Sequence, residues 1–301
     1  MQNELGTVAG LWRYPVKSML GQAVASAEVT ERGLAGDRSL AIVDQDSGKI
    51  ASAKSPRLWR NLLQCTAMLE RDRTRIALPD GTLLRSDDPD IDDALSAYLG
   101  RTVTLTDTAP SRGTLDRSVP EQVLRDGLDA EVQADIVDLG ALAPAGTFFD
   151  FAPVHLISTS TLNQVAALSP RKSIEAVRYR PNIVITTDGL GFPEHAWMGG
   201  ELSIGEHLVL RIVASTPRCA VPTLAHGPLP QDKAALRTLA EHHRIVAMPG
   251  RRPEPCAGVY AQVVRPGRVT PGDTVRLSTE LVTTTGLVTA GPSGRSFGLS
   301  E

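Results

Sequence analysis

The stretch GELSIGEHLVLRIVASTPRCAVPT, residues 200–223, joins two strand-like runs to a turn that contains a cysteine. Short runs rich in apolar and β-branched residues, bounded by glycine or proline, are typical of β-strands. The second run, 207–215, leads into a turn with Pro217, Cys219 and Pro222. Because each proline fixes its own φ angle, this turn is stiff. We therefore predict a β-rich fold that holds the Cys219 side chain at a strand end.

The same β pattern continues on both sides of this stretch, with two helices inserted. Further strands are predicted at PVHLIS (153–158), NIVITT (182–187), GVYAQVV (258–264) and DTVRLS (273–278). Thr161 and Gln164 fit a capping box at the start of the first helix, 160–169. The second helix, 229–244, places Ala235, Leu236 and Leu239 on one face.

The N-terminal third also consists of short strands separated by turns. The strand-like runs are GTVAGLWRYP (6–15), AVASAEVT (23–30), RSLAIVD (38–44), LLQCTAML (62–69), TRIALP (74–79) and RTVTLT (101–106). Asp80-Gly81 is a strong hairpin signal, and a helix is predicted over 87–100, ending at Gly100. This arrangement favours a barrel or a sandwich.

These patterns predict a mainly β fold with inserted helices (α+β) and two domains. A β-barrel-like domain is expected over 1–107, and a second β domain that carries Cys219 is expected over 146–280. The segment 108–145 is rich in Ala, Asp, Pro and Gly and contains one short helix-like run, so we interpret it as a connector. Residues 281–301 are polar and rich in small residues, which predicts a mobile tail.

Composition excludes several classes of protein. The 301 residues carry a formal net charge of −3, and the densest basic stretch, PGRRPEP (249–255), is short, so we expect no nucleic-acid binding. No apolar run approaches the ~20 residues that span a bilayer, and the N-terminus lacks a signal-peptide pattern, so we expect no membrane span and a cytoplasmic location. Three widely spaced cysteines do not make a disulfide framework.

Cys219 has more than one interpretation. A free cysteine is most often a small buried hydrophobe, but the adjacent Arg218 favours the thiolate, a soft ligand for a transition metal. A zinc site with Cys256 and a histidine stays open, although no C-x-x-C spacing supports it. Cys256 itself is predicted to pack at a strand start. The adjacent histidines 242 and 243 are predicted to be surface residues that point in different directions.

A set of polar and basic residues occupies loops and strand ends, where an anion can be bound. Any single member has an alternative interpretation as a solvated surface group, but the combination favours an anion site, because charge-assisted hydrogen bonds to phosphate are strong. The members are Lys17 and Ser18 after the first strand, Arg38 in a glycine-rich turn, and Arg178, Arg180 and Asn182 in RYRPNI.

Four groups of segments, in order, resemble the molybdenum-cofactor sulfurase C-terminal domain family, the MOSC proteins. They are YPVKSMLG (14–21) with GLAGDRSLAIVD (33–44), RYRPNIVI (178–185), FPEHAWMGGELSIG (192–205) with STPRCAVPT (215–223), and GVYAQVVRPGRVTPGDTV (258–275). The resemblance covers most of residues 5–278. It implies a MOSC N-terminal β-barrel domain followed by a MOSC domain, as in the mitochondrial amidoxime-reducing component and its bacterial counterparts.

The resemblance also implies a pyranopterin molybdenum cofactor, with the Cys219 thiolate as the protein ligand to the metal. The implied cofactor-binding residues are Lys17, Ser18, Arg38, Ser158, Arg178, Arg180, Asn182, Thr216 and Arg218. Thr216 stands where close relatives have a cysteine, and the run after the metal ligand also differs, which puts the substrate rim in doubt. No internal iron–sulfur cluster is expected, so a separate flavin or iron–sulfur reductase would supply electrons.

The function implied by the resemblance is reduction of small N-hydroxylated substrates, with oxygen transferred from nitrogen to molybdenum. One alternative is a carrier that holds the cofactor or a persulfide on Cys219 and passes it on. Another is a β-barrel domain that binds a small anion or a partner without a metal.

Overall fold

The computed structural model describes residues 2–110, 113–248 and 250–279. Its strands are β1 (Gln2–Arg13), β2 (Gln22–Ala23), β3 (Ala27–Thr30), β4 (Gly33–Leu34), β5 (Ala41–Asp44), β6 (Thr66–Glu70), β7 (Arg73–Ala77), β8 (Leu83–Arg85), β9 (Val103–Thr106), β10 (Thr114–Ser118), β11 (Ala134–Asp138), β12 (Val154–Ser158), β13 (Ile183–Thr186), β14 (Glu201–Ile204), β15 (Leu208–Pro217), β16 (Arg244–Ile245), β17 (Glu254–Arg265), β18 (Gly267–Val269) and β19 (Thr274–Ser278). The helices are α1 (Pro56–Trp59), α2 (Ile91–Leu99), α3 (Pro120–Asp126), α4 (Thr159–Leu168) and α5 (Ala234–His242). Short 3₁₀ helices lie at Arg60–Gln64, Ala176–Tyr179, Pro193–Trp197 and Val221–Thr223.

Seven strands form a closed barrel, in the order β12-β13-β1-β19-β14-β15-β17, and β17 pairs back with β12. All neighbours are antiparallel except β12 and β13, which are parallel. Closure removes the free strand edges that an open sheet of this size would expose. The predicted fold class, mainly β with inserted helices, is confirmed.

Strand β1 comes from the N-terminal end of the chain but lies in this barrel. It pairs with β13 through Val8 and Ile185 and with β19 through Thr7 and Thr274. The barrel is therefore built from both ends of the described sequence, with β1 inserted between two strands that follow residue 180.

The barrel interior is filled by side chains that alternate along its strands. In β14 and β15, Leu202, Ile204, Leu208, Leu210 and Ile212 are all buried in one apolar cluster. This is the alternation of the quoted stretch, since successive side chains of a strand point to opposite faces. The hydrophobic pattern of residues 200–215 thus determines which face of this hairpin points into the barrel.

The rest of the N-terminal region forms smaller sheets around a second apolar core. Strand β5 pairs with β9, and β6, β7 and β8 form a three-stranded sheet with the predicted hairpin at Asp80-Gly81. Helix α2 buries Ile91 and Leu95 in this core and ends at Gly100, which has a φ of 68°. A left-handed glycine is a common helix terminator, so this helix ends where the sequence predicts.

The two helices predicted in the C-terminal half are present, but the predicted capping box of α4 is wrong. The helix starts at Thr159, and the Ser158 hydroxyl caps it by accepting a hydrogen bond from the backbone N–H of Thr161. The N–H of Thr161, which the predicted capping box pairs with Gln164, is thus satisfied by Ser158. In α5, Ala235, Leu236 and Leu239 are buried, as their spacing predicts.

Residues 108–145 contain the antiparallel strand pair β10 and β11, with helix α3 between the two strands. The chain then runs without a strand or helix to β12. The division of the chain into domains at 107 and 146 stays a prediction. The predicted mobile tail, 281–301, lies outside the described residues. None of the helices in the described part of the chain is long and apolar enough to cross a membrane.

Candidate functional site

A single pocket brings together residues that are far apart in the sequence. Seven of the predicted site residues line it: Lys17, Ser18, Arg38, Arg180, Asn182, Arg218 and Cys219. The walls come from the loop after β1, the turn before β5, the segment between α4 and β13, and the turn after β15. The pocket therefore lies where the N-terminal region meets the barrel.

Cys219 lies in the turn between β15 and the 3₁₀ helix at Val221–Thr223. Its side chain is buried in a small apolar cluster that includes Leu20, Leu63 and Leu224. The backbone N–H of Arg218 donates to the carbonyl of Pro255, which fastens the turn to β17. The prediction that Cys219 lies at a strand end is confirmed.

Three pocket residues have a backbone conformation that residues with a side chain rarely adopt. The φ angles are 65° for Ser18, 45° for Arg38 and 54° for Arg180. Each such residue costs about 1–3 kcal/mol, and these conformations cluster at functional sites. The Arg180 guanidinium donates to the carbonyl of Met19, so a tertiary contact helps to maintain the conformation.

The buried carboxylate of Asp37 connects three segments of the pocket wall. It accepts hydrogen bonds from the backbone N–H of Tyr14 at 2.6 Å and from the side-chain amide of Asn182 at 3.0 Å. It also pairs with the guanidinium of Arg38. The turn before β5 is thereby joined to the end of β1 and to the start of β13.

Tyr14 underlies two of the pocket arginines. The guanidinium groups of Arg38 and Arg180 lie over its ring, 4.5 and 4.3 Å from the centroid. Burial raises the pKa of the Tyr14 hydroxyl to about 12, so the hydroxyl stays protonated. Burial and the neighbouring Arg38 lower the pKa of Arg180 to about 10, which still leaves it charged at neutral pH.

Two lysines share one carboxylate at another wall of the pocket. The Lys17 ammonium donates to the Asp150 carboxylate at 2.5 Å and to the Phe148 carbonyl at 2.8 Å, and the Lys54 ammonium lies 3.0 Å from Asp150. Burial lowers the pKa of Lys17 to about 8, although Asp150 acts in the opposite direction. Burial alone would raise the pKa of Asp150, but the two lysines outweigh it and hold that pKa well below its usual range.

Arg218 and Thr216, beside the cysteine, have buried polar atoms with no protein partner. Arg218 donates through Nη2 to the Tyr179 carbonyl at 2.8 Å, and Nη1 lies 3.5 Å from Nε2 of His155. Its Nε, the Thr216 hydroxyl and the Tyr14 hydroxyl have no hydrogen-bond partner among the described residues. Buried polar groups are almost always paired, so unpaired ones beside a pocket indicate a bound polar group.

Two family models match separate parts of the chain. The MOSC N-terminal beta barrel domain model matches residues 5–108, and the MOSC domain model matches residues 144–276. The chain belongs to the MOSC family. Cys219 and its turn lie in the part of this MOSC protein that the second model matches.

Curated relatives of this MOSC protein are amidoxime-reducing components. The chain is 28% identical to mitochondrial amidoxime-reducing component 1 of Homo sapiens, over 91% of the chain and 83% of the relative. It is 26% identical to mitochondrial amidoxime reducing component 2 of Homo sapiens, over 90% of the chain and 83% of the relative. A solved structure, the YUAD protein from Bacillus subtilis, is 12% identical with a TM-score of 0.44, covering 92% of this chain and 98% of that one.

The charge of the pocket fits the anionic cofactor that the MOSC family implies. The basic residues that line it are Lys17, Lys54, Arg38, Arg117, Arg180, Arg218 and Arg251. Among the residues that the structure describes, one acidic residue lines the pocket, Asp150. Lys17 and Arg218 are buried and the other cations are partly or fully exposed, so the lining has an excess of positive charge that favours a bound anion. A phosphate group near these cations and a metal near Cys219 would match the residues present.

Three predicted residues, Ser158, Arg178 and Thr216, are not among those that line the pocket, although Thr216 lies three positions before Cys219. The Ser158 hydroxyl is occupied by the cap of α4. Arg178 is fully buried elsewhere, where its guanidinium donates to Glu175 and to the carbonyls of Leu224 and Pro230. These contacts give the Ser158 and Arg178 side chains structural roles, and their role in cofactor binding stays a prediction.

Cys256 is buried in β17 opposite Pro217, at the strand start that the sequence predicts. Burial raises the pKa of its thiol to about 12, so the thiolate is not populated at neutral pH. Within the described ranges, no group of three or more His, Cys, Asp or Glu side chains could hold a metal ion. The zinc alternative with Cys219 and Cys256 therefore has no support.

Sequence reasoning missed several residues of the site: Tyr14, Asp37, Lys54, Asp150 and His155. Tyr14 and Asp37 lie inside the motifs that carry the family resemblance, so their position in those motifs was the available signal. Asp150 and Lys54 lie in segments without a motif, and only folding brings them to Lys17.

Proposed function

We propose that this MOSC protein is a molybdenum-cofactor-dependent oxidoreductase that reduces small N-hydroxylated compounds. The observation that carries the proposal is the pocket that combines the Cys219 thiol with a cluster of cations, of which Lys17 and Arg218 are buried. The amidoxime-reducing relatives support the substrate class. Electrons would come from a separate flavin or iron–sulfur reductase, and a cytoplasmic location stays part of the prediction.

The residues have distinct roles in this proposal. Cys219 would be the protein ligand to molybdenum, and Lys17, Ser18 and Arg38 would bind the phosphate of the cofactor. Arg180 would add a positive charge to the same wall, and Arg218 has an unpaired Nε beside the cysteine. When bound, the cofactor would supply two-electron oxygen-transfer chemistry that side chains cannot perform.

Asn182 and Asp37 would act by positioning. The Asn182 amide is fully engaged, since it donates to Asp37 and accepts from the backbone N–H of His155. Both residues hold Arg38 and the start of β13 in place and need not touch the cofactor themselves.

The proposed reaction consumes two electrons and two protons, and it converts an N–OH group to N–H with release of water.

The test is the Cys219→Ser variant, purified from a host that makes the cofactor. Molybdenum per chain is measured by elemental mass spectrometry, and reduction of benzamidoxime is measured with reduced methyl viologen as the donor. We expect the variant to fold but to lose at least ~100-fold of the reductase activity, because a serine oxygen is a poor substitute for a soft thiolate ligand.

Cys256→Ala is the matched control, because it removes a buried thiol outside the pocket. A Cys219→Ser variant as active as the wild type would reject the ligand assignment. A wild-type protein without molybdenum would favour the carrier or the anion-binding alternative, and a persulfide trapped on Cys219 would identify the carrier.

A further inference from the structure

A row of three polar side chains leads away from the pocket. Ser215 lines the pocket, and its hydroxyl oxygen lies 3.3 Å from Nδ1 of His195. The other nitrogen of that ring, Nε2, lies 2.5 Å from Nε2 of His243. Each contact is within hydrogen-bonding reach, so the three groups form a continuous path.

Three different elements hold these side chains in place. Ser215 is in β15, four residues before Cys219, and His195 is in the 3₁₀ helix at Pro193–Trp197. His243 follows the last residue of α5, and its ring stacks on Phe192 with centroids 3.5 Å apart and planes 4° apart. The stacking fixes the ring orientation. His243 is half-buried and so less exposed than predicted, because its ring packs against Phe192.

Both imidazoles are neutral at neutral pH. Burial lowers the pKa of His195, and the nearby Glu194 only partly opposes this effect. Burial and the adjacent His195 lower the pKa of His243 to about 4. The Glu194 carboxylate is occupied by the backbone N–H of Ser158 and the hydroxyl of Thr161. A neutral imidazole has one N–H and one lone pair, so it can receive a proton on one side while it releases one on the other.

Two sets of tautomers satisfy both contacts, and the relay starts from the set whose protons point toward the pocket. Nε2–H of His243 donates to Nε2 of His195, which leaves Nδ1–H of His195 to donate to the Ser215 hydroxyl. The Ser215 hydroxyl proton is then directed away from His195, on the side where Sδ of Met198 lies 3.9 Å from the hydroxyl oxygen. Both histidine side chains are only partly buried, so the outer ring can exchange protons with water.

Most other titratable groups of the pocket are held by partners, although burial lowers the pKa of Lys17 to about 8. Lys17 and Lys54 are paired with Asp150, and arginines do not release protons near neutral pH. His155 lies between the Arg180 carbonyl and Arg218, and burial and Arg218 lower its pKa well below its ordinary value. The reduction described above nevertheless consumes two protons in each turnover.

We propose that His243, His195 and Ser215 form a proton relay from the protein surface to the pocket that contains Cys219. A proton from water binds Nδ1 of His243, whose Nε2 proton moves to His195. The Nδ1 proton of His195 moves to Ser215, and the hydroxyl proton of Ser215 moves to the oxygen that leaves the N-hydroxylated substrate. One proton enters and one is delivered, no electron moves along the path, and reorientation of the three groups restores it. The oxygen that accepts the proton belongs to the substrate of the proposed function, so this inference rests on that function.

The first test needs neither cofactor nor substrate. In protein labelled with ¹⁵N-histidine, a hydrogen bond between two ring nitrogens gives a scalar coupling between them. We expect a coupling between Nε2 of His195 and Nε2 of His243 that disappears in His243→Phe and persists in His242→Phe, which changes the exposed neighbour. Absence of the coupling in the wild-type protein would overturn the relay.

The second test measures benzamidoxime reduction by the molybdenum-loaded protein with reduced methyl viologen. Ser215→Ala and His243→Ala should each lower kcat by about 100-fold at unchanged KM and unchanged molybdenum content. The double variant should lose no more than either single one, because groups in series act as a unit. Added imidazole should restore part of the rate of His243→Ala, and His242→Ala should match the wild type.

Wild-type kcat in both single variants, or losses that multiply in the double variant, would overturn the relay. A wild-type protein that holds molybdenum but does not reduce benzamidoxime would reject the proposed substrate class instead. The coupling between the two rings would then still decide whether the relay exists, so the two failures are distinguishable.

Discussion

At the scale of single residues, the most informative group is the buried Lys17. Its ammonium has lost most of its contact with water and is held by Asp150 and by the carbonyl of Phe148. Burial lowers its pKa to about 8, which places its loss of charge just above neutral pH. An anion in the pocket would therefore meet a lysine whose charge depends on pH in an accessible range.

We expect anion binding by the cofactor-free protein to weaken as the pH rises through 8. Protonated Lys17 attracts an anion, and its folded-state pKa of about 8 means that this attraction is present below pH 8 and lost above it. Sulfate is a suitable probe because its own charge does not change in this range. Calorimetric titration with sulfate on both sides of pH 8 measures the effect.

Lys17→Met should bind sulfate weakly and without this pH dependence. Lys49→Met is the matched control, since Lys49 pairs with Asp116 outside the pocket. Sulfate affinity that is constant through pH 8 in the wild-type protein would show that Lys17 does not contribute its charge to the pocket.

At the scale of elements, β17 is the strand that connects the barrel to the pocket. It pairs with β12, β15 and β16, and its Gly258 has a φ of 75° beside His155. A Cβ at this position would lie 2.4 Å from the carbonyl oxygen of Leu156 and 2.7 Å from Nε2 of His155. Only glycine lets β17 approach β12 closely enough to close the barrel here.

Gly258→Ala should destabilise the protein by more than about 2 kcal/mol, from backbone strain and from the clash with β12. Gly81→Ala is the control, because Gly81 has a φ of 90° but open space around it. That variant should lose only about 1 kcal/mol, the cost of the left-handed conformation alone. Urea unfolding of both variants measures the difference, and equal losses would show that the close approach to β12 has no energetic importance.

At the scale of the whole molecule, the barrel depends on β1. This strand fills the place between β13 and β19, so a chain without it has two unpaired strand edges. Such edges promote aggregation. The N-terminal region also supplies Lys17, Ser18 and Arg38 to the pocket, and Leu20 and Leu63 to the cluster around Cys219.

Residues 146–279 alone should therefore not fold, although they contain Cys219 and nearly all of the segment that the MOSC model matches. Residues 1–279, which include β1, should fold. Circular dichroism and the cooperativity of thermal unfolding compare the two fragments. A cooperative transition in the shorter fragment would mean that the barrel closes without β1.

Local sequence patterns predicted most of the strands and helices because their signals are local. Alternation in 200–215, the Asp80-Gly81 turn and the terminator at Gly100 each depend on neighbours within a few residues. The start of α4 was misplaced because Ser158 is both the last residue of β12 and the cap of the helix. Two overlapping roles at one residue cannot be separated by either pattern alone.

The sequence by itself determined the mainly β fold, the family, and a cysteine held by prolines at a strand end. Only the tertiary structure decided that β1 closes the C-terminal barrel and that Asp150 pairs with Lys17. It also decided that His195 and His243 meet beside Ser215, and that Ser158 and Arg178 do not line the pocket. The reason is physical: strand periodicity and turn chemistry act between neighbours in the chain, whereas burial and charge pairing depend on distances that arise only when the chain is folded.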